Sequence, residues 1–344
     1  MNVLSLLIDP KEINTDFTDL HRFTRIYYKR SQIAVTVYSI ILEEDIGGDV
    51  LHKNFDSLLK SRTGSRKCRL IVAAAHDPHT LGAIFEAAGV FGLEYELIGD
   101  GGKIVEIAAQ MGRELPVGCV HNTGDDDETA RKSVAMAKKI TDGVLVKGLI
   151  ETSTLLRAVV NREDGIRAAD TMSHVAFLEL PGYHKLVAVT DGGMIQNPSL
   201  EQKADIVNNV ANLYRTAGQV PKIACLSSSE TVSLKFEESV HGARLKEMAA
   251  EGAFGDVMLE GPISFDLAIS RKAAEKKGYA SPICGDVDVF FVPNITVGNV
   301  MCKCLIEWAG AKMAGIVLGA TLPIVLVSRA ASAEEKLNSI ALCL

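Results

Sequence analysis

Two stretches of the chain place hydroxyl and basic side chains where an apolar run gives way to a helix. In the first, Ser328 and Arg329 follow residues 323–327, and Ser332 with Glu335 three positions later forms a capping-box pattern. A hydroxyl, a guanidinium and the exposed N–H groups of a helix N-terminus can together bind an anion. The alternative is a surface arginine beside a capping serine.

The second stretch follows residues 143–147, an apolar run that ends in Lys147. Hydroxyl side chains then gather at the start of a predicted helix that carries Arg157. Because ligands of open α/β sheets bind beyond the carboxyl ends of the strands, we expect Lys147 and Arg157 to face one cleft. The alternative is a capped surface helix with solvated basic residues. The hydroxyl residues are Thr152, Ser153 and Thr154.

Other polar patterns favour structural roles. Asp191-Gly-Gly193 ends a predicted strand and is either a close-approach loop or a turn, and residues 125–127 are typical of a solvated helix start. The sequence has no G-x-x-x-x-G-K-[ST] loop, no G-x-S-x-G elbow and no histidine pair at metal-ligand spacing. We therefore expect neither P-loop hydrolysis nor a metal site.

The elements that position these residues follow a regular alternation of short apolar strands and helices. Such alternation predicts an α/β fold with a largely parallel sheet and helices on both faces. Strands are predicted at residues 69–75, 95–98, 117–120, 143–147, 185–191, 223–227, 256–260, 287–292, 315–319 and 323–327, with one more in the 33–42 run. Helices are predicted at residues 79–91, 103–111, 200–217 and 300–313, and after residues 125, 151 and 332.

Composition restricts the class of protein. The 344 residues carry a formal charge of −7 with dispersed basic residues, which argues against nucleic acid as a partner. The seven cysteines are an odd number without a C-x-x-C pair, as expected for buried thiols in the reducing cytoplasm. The longest apolar stretch, residues 313–327, is short and interrupted by Gly, Thr and Pro, and the N-terminus lacks a secretory signal, so we expect no membrane association.

Several ordered motifs resemble the phosphate acetyl/butyryltransferase family, and the butyryl members more closely. They occupy residues 147–167, 173–175, 189–193, 261–266 and 292–332, within a resemblance that spans roughly residues 55–344. The resemblance implies the reaction acyl-CoA + phosphate ⇌ acyl phosphate + CoA, with a butyryl or other short-chain acyl group, acetyl included. Coenzyme A is then a substrate, and no cofactor or metal is required.

The same resemblance implies the domain organisation. It predicts two α/β/α domains of the isocitrate/isopropylmalate dehydrogenase-like type, with the active site in the cleft between them. Residues 51–150 and 305–344 would form the first domain, and residues 151–304 the second, which would carry the interface of a homodimer or dimer-based oligomer. Residues 1–50 would be an N-terminal extension of unknown role.

The resemblance also implies roles for individual residues. The Ser-Arg pair of the family falls on Ser328 and Arg329, and its helix-borne arginine falls on Arg157. Arg329 and Arg157 would hold the phosphate, Ser328 would donate to the carbonyl oxyanion, and the thiolate of CoA would attack without an acyl-enzyme. The acidic residue of acetyl members corresponds to Glu335, beside Glu334, and either carboxylate is a candidate base. Butyryl-like members tend to carry an Asp where this chain has Ala331.

Two other functions fit the same fold. One is a nicotinamide-dependent decarboxylating dehydrogenase, which needs metal-binding carboxylates and a Tyr–Lys pair that have no convincing spacing here. The other is an inactive or regulatory relative that binds acyl phosphate or CoA. An assay of CoA release distinguishes all three.

Overall fold

The structure, a computed structural model, describes residues 52–63, 68–329 and 331–344. The predicted N-terminal extension, with the strand predicted at residues 33–40, lies outside the described residues. The described part contains both polar stretches singled out above, apart from residue 330.

The helices of the described part begin mostly at capping side chains. Asp77 accepts a hydrogen bond from the N–H of Thr80 at 2.7 Å, and the predicted capping boxes at Ser199 and Ser332 are both formed. The helices are α1 (Phe55–Ser61), α2 (Pro78–Phe91), α3 (Gly101–Gln110), α4 (Asp126–Ala137), α5 (Thr152–Val159), α6 (Leu200–Thr216), α7 (Glu237–Ala250), α8 (Phe265–Ile269), α9 (Arg271–Lys276), α10 (Ile295–Ala309) and α11 (Ala333–Leu342).

The strands form one continuous sheet of eleven strands in the order β3-β2-β1-β4-β11-β10-β5-β6-β9-β7-β8. They are β1 (Arg69–Ala73), β2 (Glu94–Gly99), β3 (Val120–Asn122), β4 (Gly143–Lys147), β5 (Ser173–Glu179), β6 (Val187–Thr190), β7 (Lys222–Leu226), β8 (Met258–Ile263), β9 (Val289–Phe291), β10 (Lys312–Leu318) and β11 (Ile324–Val325).

The predicted α/β class with a largely parallel sheet is confirmed. Seven of the ten strand pairings in the described part of the chain are parallel. The antiparallel pairings lie at the centre, where β10 pairs with β11 and β5, and β5 pairs with β6. No strand is predicted at Ser173–Glu179, because this run begins with the polar residues Ser173 and His174.

One helix begins and ends earlier than its sequence pattern predicts. The helix predicted at residues 300–313 is α10, which starts at Ile295 because the side-chain oxygen of Asn294 accepts a hydrogen bond from the Val297 N–H at 3.1 Å. Gly310, with φ of 68°, ends it in the left-handed conformation that favours glycine. The following residues form the antiparallel strand β10 instead.

Helices cover both faces of the sheet, as the side-chain alternation along β1 shows. Leu70 and Val72 pack into one apolar cluster, while Ile71 and Ala73 pack into another on the opposite face. A third cluster lies around β6, β7 and β9. The boundaries of the two expected domains stay a prediction. Within the described residues, no helix is long and apolar enough to cross a membrane.

Candidate active site

The two polar stretches meet at one edge of the sheet. β1, β4 and β11 are neighbouring parallel strands, so their carboxyl ends lie together. Gly148, directly after β4, donates its N–H to the Ala73 carbonyl at 2.8 Å, and a Cβ there would lie 2.3 Å from the Ala74 carbonyl oxygen. Only glycine permits this approach, which holds the loop after β4 against the loop after β1.

Arg329 connects the loop after β11 with the loop after β4. Its guanidinium lies 2.6 Å from a carboxylate oxygen of Glu151, and both side chains are about half exposed. Glu151 is the residue before α5, yet its side chain makes no capping hydrogen bond to the helix. The carboxylate therefore stands where an anion bound by Arg329 would lie.

Lys147 ends β4 beneath this ion pair and is only 1% exposed. Its ammonium donates a long hydrogen bond of 3.4 Å to the Gly148 carbonyl. Burial, together with the positive charges of Arg329 and Lys336, lowers the pKa of Lys147 to about 8, and Glu151 opposes this only in part. The site therefore has a positive potential that a bound anion would relieve.

The N-terminus of α5 adds backbone donors to the same place. By helix geometry, the N–H groups of Thr152 and Ser153 have no acceptor within the helix, and Thr154 donates to the Glu151 carbonyl at 3.1 Å. Arg157 lies one turn further along α5, largely exposed, with its guanidinium 3.6 Å from Asp127 on α4. The structure thus brings Lys147, the hydroxyl cluster and Arg329 together, and Arg157 lies on the same helix but pairs elsewhere.

The start of α11 engages both candidate carboxylates. Glu335 accepts a hydrogen bond from the Ser332 N–H at 2.7 Å, and its own N–H donates to the Ser332 hydroxyl at 3.1 Å. Glu334 lies 2.8 Å from the ammonium of Lys312 at the start of β10. Both residues lie on the segment that follows Ser328, which is exposed at the end of β11. Their part in catalysis stays a prediction.

The Asp191 loop is a turn held by its own carboxylate. Asp191 is 2% exposed and accepts hydrogen bonds from the N–H groups of Gly193, Met194 and Ile195. Burial raises its pKa, and these bonds and the nearby His174 oppose that rise. The Nε2 of His174 donates to the carbonyl of Leu326 at 3.1 Å, which braces the end of β11 just before Ser328.

The profile of a protein family described as "Phosphate acetyl/butaryl transferase" matches residues 119–344. The chain belongs to this family. It is 34% identical to a phosphate butyryltransferase of Clostridium acetobutylicum, over 84% of this chain and 97% of that protein. It is also 34% identical to a phosphate acetyltransferase of Rhizobium meliloti, over 83% of this chain and 91% of that protein.

A solved structure supports the same assignment to the phosphate acyltransferases. A branched-chain phosphotransacylase from Enterococcus faecalis V583 superposes with a TM-score of 0.69 at 29% sequence identity. The match covers 80% of this chain and 97% of that one. The family resemblance drawn from the sequence motifs is therefore confirmed.

Two charged residues near these loops are missing from the sequence predictions. Lys336, on α11, is 2% exposed, and the negative charge of Asp77, after β1, opposes the lowering of its pKa by burial. A signal for Lys336 exists, since it lies four residues before Ile340 and therefore on the buried face of α11. Asp77 fits the pattern of a helix-capping residue before α2, so nothing in the sequence indicates that it also lies near the candidate site.

The described part of this family member holds no cluster of three or more His, Cys, Asp or Glu side chains arranged to bind a metal ion. The seven cysteines of the sequence are all free thiols, and five of them are buried. Burial raises the pKa of the Cys302 thiol to about 12, and it raises the pKa of Cys225 as well. These two thiols are poor nucleophiles at neutral pH.

Proposed function

We propose that this protein catalyses the reversible transfer of a short-chain acyl group between coenzyme A and inorganic phosphate, releasing acyl phosphate in one direction. The supporting observation is the convergence of Arg329, buried Lys147 and the N-terminus of α5 at one edge of the sheet. A phosphate group needs this combination of charge and backbone donors. Membership in the family supplies the acyl and CoA chemistry.

In the proposed mechanism the phosphate displaces Glu151 from Arg329 and is held by Arg329, Lys147 and the first N–H groups of α5. Arg157 supplies a second guanidinium to the phosphate, after leaving the exposed Asp127 carboxylate. Exposed ion pairs of this kind are worth about 1 kcal/mol or less, so a phosphate dianion can exchange for either partner. Binding then orients the acyl group for attack.

The acyl transfer itself needs no covalent enzyme intermediate. The CoA thiolate adds to the carbonyl carbon of the acyl phosphate and forms the C–S bond, and Ser328 donates to the resulting oxyanion. The oxyanion then collapses, which breaks the C–O bond and releases phosphate. A carboxylate takes the thiol proton first, with Glu335 as our candidate and Glu334 as the alternative. No metal or cofactor is required by these steps, and CoA takes part as a substrate.

For the acyl group, we propose butyryl or a similar short chain, with acetyl accepted. The relatives support this range, because they include a butyryltransferase, an acetyltransferase and a branched-chain phosphotransacylase at similar identity. Measuring kcat/KM with acetyl, butyryl and branched acyl phosphates ranks them.

We also propose a cytoplasmic homodimer. Exposed apolar side chains follow one face of α10 at helical spacing, namely Val297, Val300 and Trp308. Such a stripe is typical of a surface covered in an oligomer. The free state of all seven cysteines favours a reducing compartment.

The test is CoA release from acetyl- and butyryl-CoA with phosphate, compared between the wild type and Arg329→Ala. Loss of one charge-assisted contact predicts about a tenfold or larger fall in kcat/KM, with poor rescue by Lys, which lacks the planar fork. Arg244→Ala is the matched control, because Arg244 is an ion-paired arginine on α7, 2.8 Å from Glu247. Absence of transfer by the wild type, or full activity of Arg329→Ala, would contradict the proposal.

A further inference from the structure

Lys336 is a buried cation in the second turn of α11. It is 2% exposed, and its ammonium donates a hydrogen bond of 2.7 Å to the carbonyl of Ala331. Lysine is almost never fully buried unless its charge has a partner. An ammonium has three N–H donors, and this hydrogen bond uses one of them.

The contact with Ala331 fixes the turn that carries Ser328 and Arg329. Within this turn the Ala331 N–H donates to the Ser328 carbonyl at 3.0 Å, and the Lys336 N–H donates to the Ser332 carbonyl at 3.3 Å. The Lys336 side chain therefore links α11 to the segment that follows β11. Without its ammonium, the Ala331 carbonyl loses its hydrogen bond in a buried position.

The charge of Lys336 also reaches the anion site. Its ammonium contacts Ala331, two residues after Arg329, and its positive charge lowers the pKa of Lys147 as the charge of Arg329 does. The carboxylates near Lys336 are Asp77 and Glu335, and each already accepts backbone hydrogen bonds at the start of a helix. Because these two carboxylates also interact with helix N-termini, they neutralise Lys336 only in part. The remaining positive charge favours binding of an anion at the site.

We propose that Lys336 is a positioning residue of the phosphate site, which holds the Ser328–Ser332 turn in place and adds buried positive charge beside Lys147 and Arg329. This inference rests on the proposed function and deepens it. The ligand chemistry it serves is a phosphate dianion, either free phosphate or the phosphoryl group of an acyl phosphate.

The experiment compares Lys336→Met, Lys336→Gln and Lys336→Arg in steady-state kinetics of acyl transfer to phosphate. We expect KM for phosphate to rise about tenfold or more in Lys336→Met, because a positive charge near the bound dianion is lost from a buried position, with KM for acyl-CoA within about twofold. Lys336→Arg restores part of the phosphate affinity, because it keeps the charge. Lys336→Gln retains a donor for Ala331 but lacks the charge, so it behaves like Lys336→Met toward phosphate.

Lys203→Met is the matched control. Lys203 is also a buried lysine, 4% exposed on α6, and its ammonium lies 2.8 Å from the Nδ1 of His241. Its removal tests whether loss of any buried lysine changes the kinetics, and we expect KM for phosphate to stay unchanged. An equal rise of KM for phosphate in Lys203→Met and Lys336→Met would overturn the proposal.

A second readout separates this inference from the proposed reaction. Phosphate should raise the melting temperature of the wild type and of Lys336→Arg, but much less that of Lys336→Met or Lys336→Gln. If the wild type transfers no acyl group but shows this pattern, the proposed function fails and the role of Lys336 holds. If folded Lys336→Met and Lys336→Gln bind phosphate as the wild type does, the role of Lys336 is refuted.

Discussion

Replacing Lys147 with methionine is expected to raise stability and weaken phosphate binding at the same time. Burial and the neighbouring cations lower the pKa of Lys147 from 10.5 to about 8. At 1.36 kcal/mol for each pKa unit, this disfavours the buried ammonium by roughly 3 kcal/mol. Methionine has a similar length and no charge, so Lys147→Met removes that cost from the folded state.

The stability difference between the wild type and Lys147→Met should depend on pH. Between pH of about 8 and 10.5 the unfolded state binds more protons at this lysine than the folded state, so wild-type stability rises with pH in that window. The excess stability of Lys147→Met is therefore largest near neutral pH and shrinks toward pH of about 10.5. Urea unfolding at a series of pH values measures the difference.

Phosphate binding has the opposite dependence, because it needs the charged ammonium. Wild-type affinity should fall as the pH rises through about 8, with about a tenfold loss one unit above that value. Phosphate ionises identically in both titrations, so the ratio of wild-type to Lys147→Met affinity isolates the lysine. A ratio that stays constant from about pH 7 to 9.5, or a stability difference independent of pH, would refute the reasoning.

Two further predictions concern the carboxylates and the assembly. Glutamine can also complete a capping box, so Glu335→Gln should keep its melting temperature while turnover falls roughly 10²–10⁴-fold if Glu335 is the base. Glu334→Gln is its neighbouring control, and full wild-type turnover in both variants would exclude the carboxylates of α11 from proton transfer. Trp308, 90% exposed on α10, should be covered in the dimer, so Trp308→Glu should give a monomer by light scattering. An unchanged mass would place the interface elsewhere.

The sequence predicted the ends of the strands that carry the site better than the centre of the sheet. Lys147 and Arg329 were found because apolar runs and helix caps mark where a strand ends, and both signals are local. The antiparallel direction of β10 depends on tertiary pairing with β5 and β11, which the local pattern does not encode. The same limit explains why the helix predicted from residue 300 begins five residues later than α10 does.

The sequence pattern also does not predict contacts between side chains that lie far apart along the chain. Glu151 lies in a stretch already singled out, yet its ion pair with Arg329 joins residues almost 180 positions apart. Lys336 is absent from the sequence predictions, and only the packing of α11 on the sheet shows that it is buried. Periodicity identifies the buried face, but only the packed fold shows that a charged side chain occupies it.

Because Glu151 pairs with Arg329, it competes with every anion that could bind to this guanidinium. Any anion that reaches the guanidinium must replace a carboxylate that is already there, 2.6 Å away. A carboxylate metabolite or a halide exchanges one negative charge for another and gains little from Arg329. A dianion such as phosphate brings a second charge for Lys147 and the N-terminus of α5, so it gains more from the exchange than a singly charged anion does. We therefore expect Glu151 to compete with singly charged anions for Arg329 more effectively than with phosphate.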